Sequence, residues 1–404
     1  MKFFQDSQRM SKKINRLTVS LFSIFISVLF VWLILKVSSR YEANALLRTF
    51  FYEPFLDIHQ IKEILLVFAP FLVGSLAVLI CYKAGFINLN VSGQMAFAGL
   101  SVYIAGFYLK KADSNVNWLI VLMLIGIFAS VFLSLVVAFL RVYFQINEVL
   151  SGIFLNYVVY HIYLALVKLP VFFDSVTQAG TKEGLGTTVA FNGVFAEILS
   201  ISLLASLVIF VFVAYAMLRS RFGFQLKVMN NHFSATRYAG INTNHQTIKV
   251  FFFAGVLSGL AGLFYYYRHP ENSQLFLNDA LPSNGFDTLA IVWLSQSSFG
   301  ALPFMALFIS VLRVQQNAVL ISEIDKGIIE ILIGLLILSI AFGNQLYSDP
   351  KLRQHIAKFL KLKKTKTHQH LTKSSSSPIS APLNLTKIKT IKVSQIKKRP
   401  RGKR

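Results

Sequence analysis

Cysteine is nearly missing: a single thiol, Cys81, stands in 404 residues. That excludes an internal disulfide framework and any cysteine-rich metal site. Charge is scarce too. Asp, Glu, Lys and Arg make up 14% of the chain, where a soluble domain carries about a quarter. The shortfall is concentrated, because uncharged stretches of about 18 residues or more recur, each long enough to cross ~30 Å of hydrocarbon. With 55% hydrophobic residues and a mean hydropathy of +0.59, an ordinary soluble enzyme is excluded. Segments of ~10 residues with alternating polarity are lacking, which argues against an outer-membrane barrel. No Gly-x-x-x-x-Gly-Lys-Ser/Thr loop occurs, so the chain has no phosphate-binding loop of its own. The absence of HExxH, of Gly-x-Ser-x-Gly and of paired acids within a span leaves an intramembrane hydrolase unsupported, with no catalytic residue to name. One His-x-His pair, His368 and His370, is poor evidence for a metal site.

Acid is also missing from one whole region. Residues 351–404 hold 17 of the 40 Lys and Arg residues and no Asp or Glu. The net charge of +23 is therefore mainly a property of this tail, and the first 350 residues carry 23 basic against 17 acidic groups. The tail combines Ser374–Ser377, Pro378 and a terminal KKRPRGKR. Low hydrophobicity with high net charge predicts disorder, after a short helical stub at about 350–362. Its cations suit an anionic leaflet or RNA bound non-specifically; a solvated tail that only holds the C-terminus inside is the plain alternative.

What is present is an all-α polytopic membrane protein. Ten membrane or half-membrane segments are predicted at 17–37, 64–82, 93–109, 118–140, 149–167, 198–218, 250–267, 286–296, 299–312 and 328–346. A cleaved signal peptide is the rival reading of the first, but its apolar region would be shorter and a small-x-small site should follow. Residues 1–16 form a basic N-terminus, 17–346 the membrane domain, 219–249 a loop within it and 351–404 the tail. Lys and Arg number 29 on the N-terminal side of the membrane against 11 on the other, or 12 against 11 without the tail. The positive-inside rule then places both termini in the cytoplasm.

Polar groups crowd two of the uncharged runs. The first opens AGFINLNVSGQM at 84–95, with Asn88, Asn90, Ser92 and Gln94. Amides facing lipid without partners are costly. A broken or re-entrant segment lining a polar path satisfies them; so does hydrogen bonding between packed helices. The second break is SNGFDTLAIVWLSQSSFGALPF at 283–304. Two interrupted segments in different parts of the chain point to a transporter site. Phe286 and Asp287 lie at the mouth of the eighth segment, where Asp287 serves as a helix cap or faces the substrate path. Asn156 and His161 read most simply as interhelical hydrogen-bonding groups, with Asn156 also a candidate to line the substrate path beside Asn88, Asn90, Ser92 and Gln94, and Glu148 as an acid favoured by the start of its helix. Glu330 sits one turn inside the last segment.

In the loop, Ser234–Ala239 reads as a short helix with Gly240 as its left-handed C-terminal cap. Such a helix either docks in a partner's groove or merely tethers two spans. GFQLKVMNNHFSATRYAGI at 223–241 resembles the coupling loop of ABC-importer permeases of the simple-sugar and nucleoside class. Gly223, Leu226, Lys227, Ala235, Gly240 and Ile241 match its pattern, and the family asparagine falls at Asn230 or Asn231. Ala84, Gly85, Asn88, Leu89, Gly93, Gln94 and Met95 resemble a second motif of that family. Glu148, Ser151, Leu155, Asn156 and Tyr157 resemble a third, and GFDTLAIVWL at 285–294 a fourth. The last two forms point to the nucleoside branch. Ser92 departs from the family's usual glutamate, and Gln296-Ser297-Ser298 from a Gly/Asn-rich turn.

The resemblance implies a permease subunit of an ATP-driven importer that moves a nucleoside or simple sugar by alternating access. It implies that ATP and Mg are used by a separate cytoplasmic ATPase, docked through Gly223, Leu226, Lys227, Asn230, Asn231, Ala235, Arg237, Gly240 and Ile241. A second permease subunit, homo- or heterodimeric, and an extracellular substrate-binding lipoprotein complete the implied assembly in a bacterial cell membrane. The Phe, Ile, Lys and Asn content points to an AT-rich genome. An ion-coupled secondary transporter, which needs a mid-membrane acid or sodium site, and a scaffold with a basic tail remain the rivals.

Overall fold

The computed structural model describes residues 48, 52–112, 118–175, 179–182, 185, 200–231, 233–268, 274–280, 283–320, 334, 335 and 338. The expected segments at 17–37 and 328–346, Glu330 and the basic tail lie outside the described residues, apart from isolated positions of the last segment. Along the rest run α1 (Ile58–Lys83), α2 (Val91–Ala112), α3 (Leu119–Tyr143), α4 (Glu148–Val167), α5 (Ile201–Arg219), α6 (Arg221–Asn231), α7 (Phe233–Tyr238), α8 (Thr243–Tyr266), α9 (Ser283–Leu294) and α10 (Leu302–Leu320). Two isolated antiparallel bridges, Phe173–Thr181 and Gly180–Phe276, are the β pairing among the described residues. The all-α membrane architecture read from the sequence is what forms, and among the described residues five helices are long and apolar enough to span: α1, α3, α4, α5 and α8.

Burial follows composition. α1 is apolar on every side and its most apolar stretch is 89% buried, as expected of a helix hydrophobic all round. It packs against α8, α10, α5 and α9 and forms the centre of the bundle. α8 is next, at 67%, while α4 and α5 bury 28% and 17% and present Phe154, Tyr157, Val211 and Phe212 outward. The most extensive packing among the described helices joins α8 to α3. Added side-chain carbons at Gly255 and Gly259 would meet the Val131 and Ile127 Cα atoms at 2.8 and 3.0 Å. Ser130 and Ser134 of α3 donate to the Gly255 and Phe251 carbonyls at 2.7 and 2.5 Å. Small residues and interhelical hydroxyls are the means by which helices associate where lipid offers no hydrophobic drive.

One end of the bundle is tied together by polar and aromatic contacts. Arg141 of α3 pairs with Glu148 of α4 at 3.3 Å and lies over the Phe86 ring at 5.9 Å. Phe86 meets Phe251 of α8, and Gln246 of α8 donates to Gln225 of α6 at 2.7 Å. Lys83 and Arg219 stand in the last turns of α1 and α5. At the other end, Gln315 of α10 donates to Gln60 of α1, and Tyr163 donates to the Phe276 carbonyl.

Three expectations need correction. The stretch 219–249 is not a loop with one short helix, since α6, α7 and the first turns of α8 occupy nearly all of it. The ninth segment does not stop at 312: α10 continues to Leu320, so Arg313, which the expected boundary leaves in the loop that follows, is a helical residue. Its apolar face and its side-chain pairings carry the helix past the charge. His161 is exposed on α4 and makes a ring contact with Tyr160, in place of the expected interhelical bond.

Candidate functional site

The first polar break is a real interruption of helix. α1 ends in a tight C-terminal turn, with the Phe86 amide donating to the Cys81 carbonyl at 2.9 Å and Gly85 at φ +90°. Only glycine takes that backbone readily. Residues 86–90 then run without regular structure into α2. Asn156 of α4 fastens this run from both sides: its Oδ1 accepts from the Gly93 amide at 3.0 Å and its Nδ2 donates to the Leu89 carbonyl at 2.8 Å. Asn156 thus caps α2 from outside the helix, in place of the N-cap residue's own side chain. The site lies about 12 Å along α4 from its start, at ~1.5 Å per residue.

The consequence is a set of stranded amides. Asn88 Oδ1 accepts from the Asn90 amide at 3.0 Å, yet Asn88 Nδ2 has no partner. Neither side-chain polar atom of Asn90 is bonded, and neither of Gln94. All three residues are at most 2% exposed. Each unmade bond of this kind costs about 1–3 kcal/mol, and a group of them on one seven-residue stretch calls for an explanation.

α9 closes this region. Gly285 lies so near Ser92 that any side chain there would collide with the Ser92 backbone and Oγ. The first turns of α2 and α9 therefore meet, each with the partial positive charge of a helix start. Serine at 92, where a longer acid is usual in the resembled family, is covered directly by the α9 backbone. Thr288 donates to the Gly285 carbonyl at 2.6 Å, and its methyl fills the space over Gly74 of α1.

Asp287 is not a cap. It lies a turn inside α9 and is gripped by Arg313 of α10, whose Nε and Nη2 donate to its two carboxylate oxygens at 2.6 and 2.7 Å. Arg313 Nη1 also donates to Gln316 at 2.8 Å. The pair is nearly dry, with side chains 6% and 16% exposed. Phe286 beside it is 43% exposed. Asn88, Asn90, Ser92, Gln94 and Asn156 thus come together, and Asp287 and Phe286 stand along α9 from that cluster. Arg313 escaped the sequence reading because it was placed in a loop. The signal was an arginine directly ending a short apolar run that follows a run opening with an aspartate.

The second candidate surface is α6–α7. Gly223 lets α6 fold tightly on the end of α5, where any side chain would strike the Met217 carbonyl. Leu226 and Met229 are buried beneath α6, while Lys227 and Asn230 are exposed. The side chains of Asn231 and Ala235 lie outside the described residues. α7 ends as the sequence suggested: the Ile241 amide donates to the Thr236 carbonyl at 3.2 Å and Gly240 takes φ +77°. Ile241 is half-buried and Arg237 Nε donates to Thr243 at 3.1 Å. Tyr238 stands 93% exposed, a feature the sequence did not signal.

Comparison with known proteins adds the last finding. The profile of a family described as "Branched-chain amino acid transport system / permease component" matches residues 60–341. An uncharacterized protein of Mycoplasma genitalium is 26% identical over 336 residues, 77% of this chain and 61% of that protein. The chain thus spans less than two thirds of the length of that relative. A nucleoside ABC transporter permease protein of Lactococcus lactis is 24% identical over 294 residues, 70% of this chain and 79% of its own length. A glucose ABC transporter permease protein of Haloferax volcanii is 25% identical over 297 residues, 69% and 75% of the two chains. No solved structure matches.

Proposed function

The chain belongs to the branched-chain amino acid transport system permease component family, and from that premise we propose that it is the membrane subunit of an ATP-driven importer whose cargo is a nucleoside in preference to a simple sugar. It is a multi-pass membrane protein. The single observation that carries the cargo reading is the group of buried, unbonded amides at Asn88, Asn90 and Gln94, beside the meeting helix starts of α2 and α9. An amide offers donors and an acceptor together, which suits a base edge and ribose hydroxyls at once. Likeness to a nucleoside permease supports that choice, and likeness to a glucose permease keeps sugars in the test.

ATP and Mg act in a separate cytoplasmic ATPase, which rests on α6–α7. A second permease subunit and an extracellular binding lipoprotein complete the assembly, with both termini of this chain in the cytoplasm of a bacterial cell. An ion-coupled transporter finds less support: Asp287, the buried acid of α9, has both oxygens committed to Arg313. The test is uptake of radiolabelled nucleosides and pentoses into proteoliposomes holding the assembled transporter. The expected result is nucleoside uptake that weakens when Asn90 or Gln94 becomes alanine. Equal uptake by wild type and both variants would refute the assignment.

A further inference from the structure

The run that carries the amides is anchored at both ends to different functional surfaces. At its start, Gly85 lies on α6: an added side-chain carbon would stand 3.2 Å from Asn230 Oδ1 and 3.5 Å from its Cα. At its finish, Asn156 holds Leu89 and Gly93, and Gly152 of α4 backs Asn90, so that an added carbon there would meet the Asn90 amide nitrogen at 3.3 Å. Between them Phe86 is 3% exposed, tilted against the Phe251 ring and under the Arg141 guanidinium. Arg141 in turn pairs with Glu148, in the first turn of the helix that carries Asn156.

We infer that residues 85–90 form a strut that transmits movement of the α6–α7 hairpin to the amide cluster, with Gly85, Arg141 and Asn156 as positioning residues; this rests on reading α6–α7 as the ATPase contact. An irregular run held at both ends and packed along its length moves as a body, because a close-packed interior transmits displacement. Two routes converge on it. One goes directly from Asn230 through Gly85. The other goes through Phe86, Arg141 and Glu148 to α4, and from there through Asn156. A shift of α6 therefore reaches Asn88 and Asn90 within six residues of chain, and Asn156 ensures that the start of α2 follows.

The experiment measures ATP hydrolysis and nucleoside uptake in the same proteoliposomes, for wild type, Gly85→Ala, Asn156→Ala and Arg141→Lys. Gly85→Ala forces a side chain into a left-handed turn against Asn230. Asn156→Ala removes both ties to the run. Arg141→Lys keeps the charge opposite Glu148 but loses the planar group over Phe86, and it is the variant least expected to disturb assembly. The inference predicts hydrolysis near the wild-type rate in Gly85→Ala and Arg141→Lys, with uptake per ATP at saturating nucleoside lowered about tenfold in Gly85→Ala and Asn156→Ala, inside the usual range of coupling between sites. Arg141→Lys should shift the same ratio in the same direction by a smaller factor. An unchanged ratio in all three, including a parallel loss of both activities, would overturn the strut. Failure of the underlying reading is distinct: wild-type uptake would then be indifferent to ATP.

Discussion

Asn90 and Gln94 keep four polar atoms buried without partners, an arrangement that costs stability and that the proposed cargo would relieve. Alanine at either position should therefore have opposite effects on two measurements. Folding stability is unchanged or raised, since an unsatisfied buried amide costs about 1–3 kcal/mol. Substrate affinity falls by a similar energy. Thermal melting of the detergent-solubilised protein and substrate titration, done on the same samples, check both signs. If both stability and affinity drop together, the amides are helix glue. The Asp287–Arg313 pair makes a second residue-scale prediction. Asp287→Asn or Arg313→Gln alone leaves a buried charge or polar group without its mate and should destabilise by about 3–5 kcal/mol. The double variant should cost clearly less than the two singles combined, which a double-mutant cycle on melting reads directly. Additive losses would show that the pair is not coupled.

At the scale of elements, the helix positions were legible and the interruptions nearly so. Hydrophobic runs longer than 18 residues have few alternatives in a membrane protein, and this is why the segments at 64–82, 118–140 and 149–167 lie within helices α1, α3 and α4 save for a residue at most at either end. The glycine at 240 announced a left-handed helix end and takes it, while the left-handed turn at Gly85 was not foreseen. What the sequence hid was tertiary pairing. Nothing local says that Asn156 caps α2 across 63 residues of chain, or that Arg313 completes α9. Polar residues inside helices were misplaced into loops for the same reason: their partners are distant, so their cost looked unpaid. The sites proposed for cargo and for the ATPase were singled out by residue type and resemblance, while the exposure of Tyr238 and the contact of Gly285 with Ser92 gave no signal in one dimension. Gly285→Ala should push α9 off α2, at about 1–3 kcal/mol for overpacking, and lower transport in proportion to the displaced first turn; normal melting and transport would contradict that packing. On α7, Tyr238→Ala should weaken ATPase capture by about 1–2 kcal/mol or more, the scale of an aromatic anchor in an interface, and leave the melting temperature alone because the side chain is 93% exposed. Co-purification of the ATPase with the variant checks this, and wild-type recovery would remove Tyr238 from the contact.

The whole molecule joins a charge-poor, glycine-packed bundle to a tail of opposite character. Residues 351–404 hold 17 cationic groups and no acid, and nothing in them matches the family, whose profile ends at residue 341. Deleting 363–404 should leave uptake largely intact in protein that reaches the membrane and binds the ATPase; loss of uptake in such protein would give the tail a direct part in transport. The account's central claim concerns the bundle: this chain passes cargo only when a partner hydrolyses ATP. The most direct measurement is uptake of labelled nucleoside into proteoliposomes containing the full assembly, with ATP, a non-hydrolysable analogue or no nucleotide enclosed, and with or without an ion gradient. The account predicts accumulation with ATP and Mg alone, indifferent to the ion gradient. Accumulation driven by the gradient without ATP would contradict it.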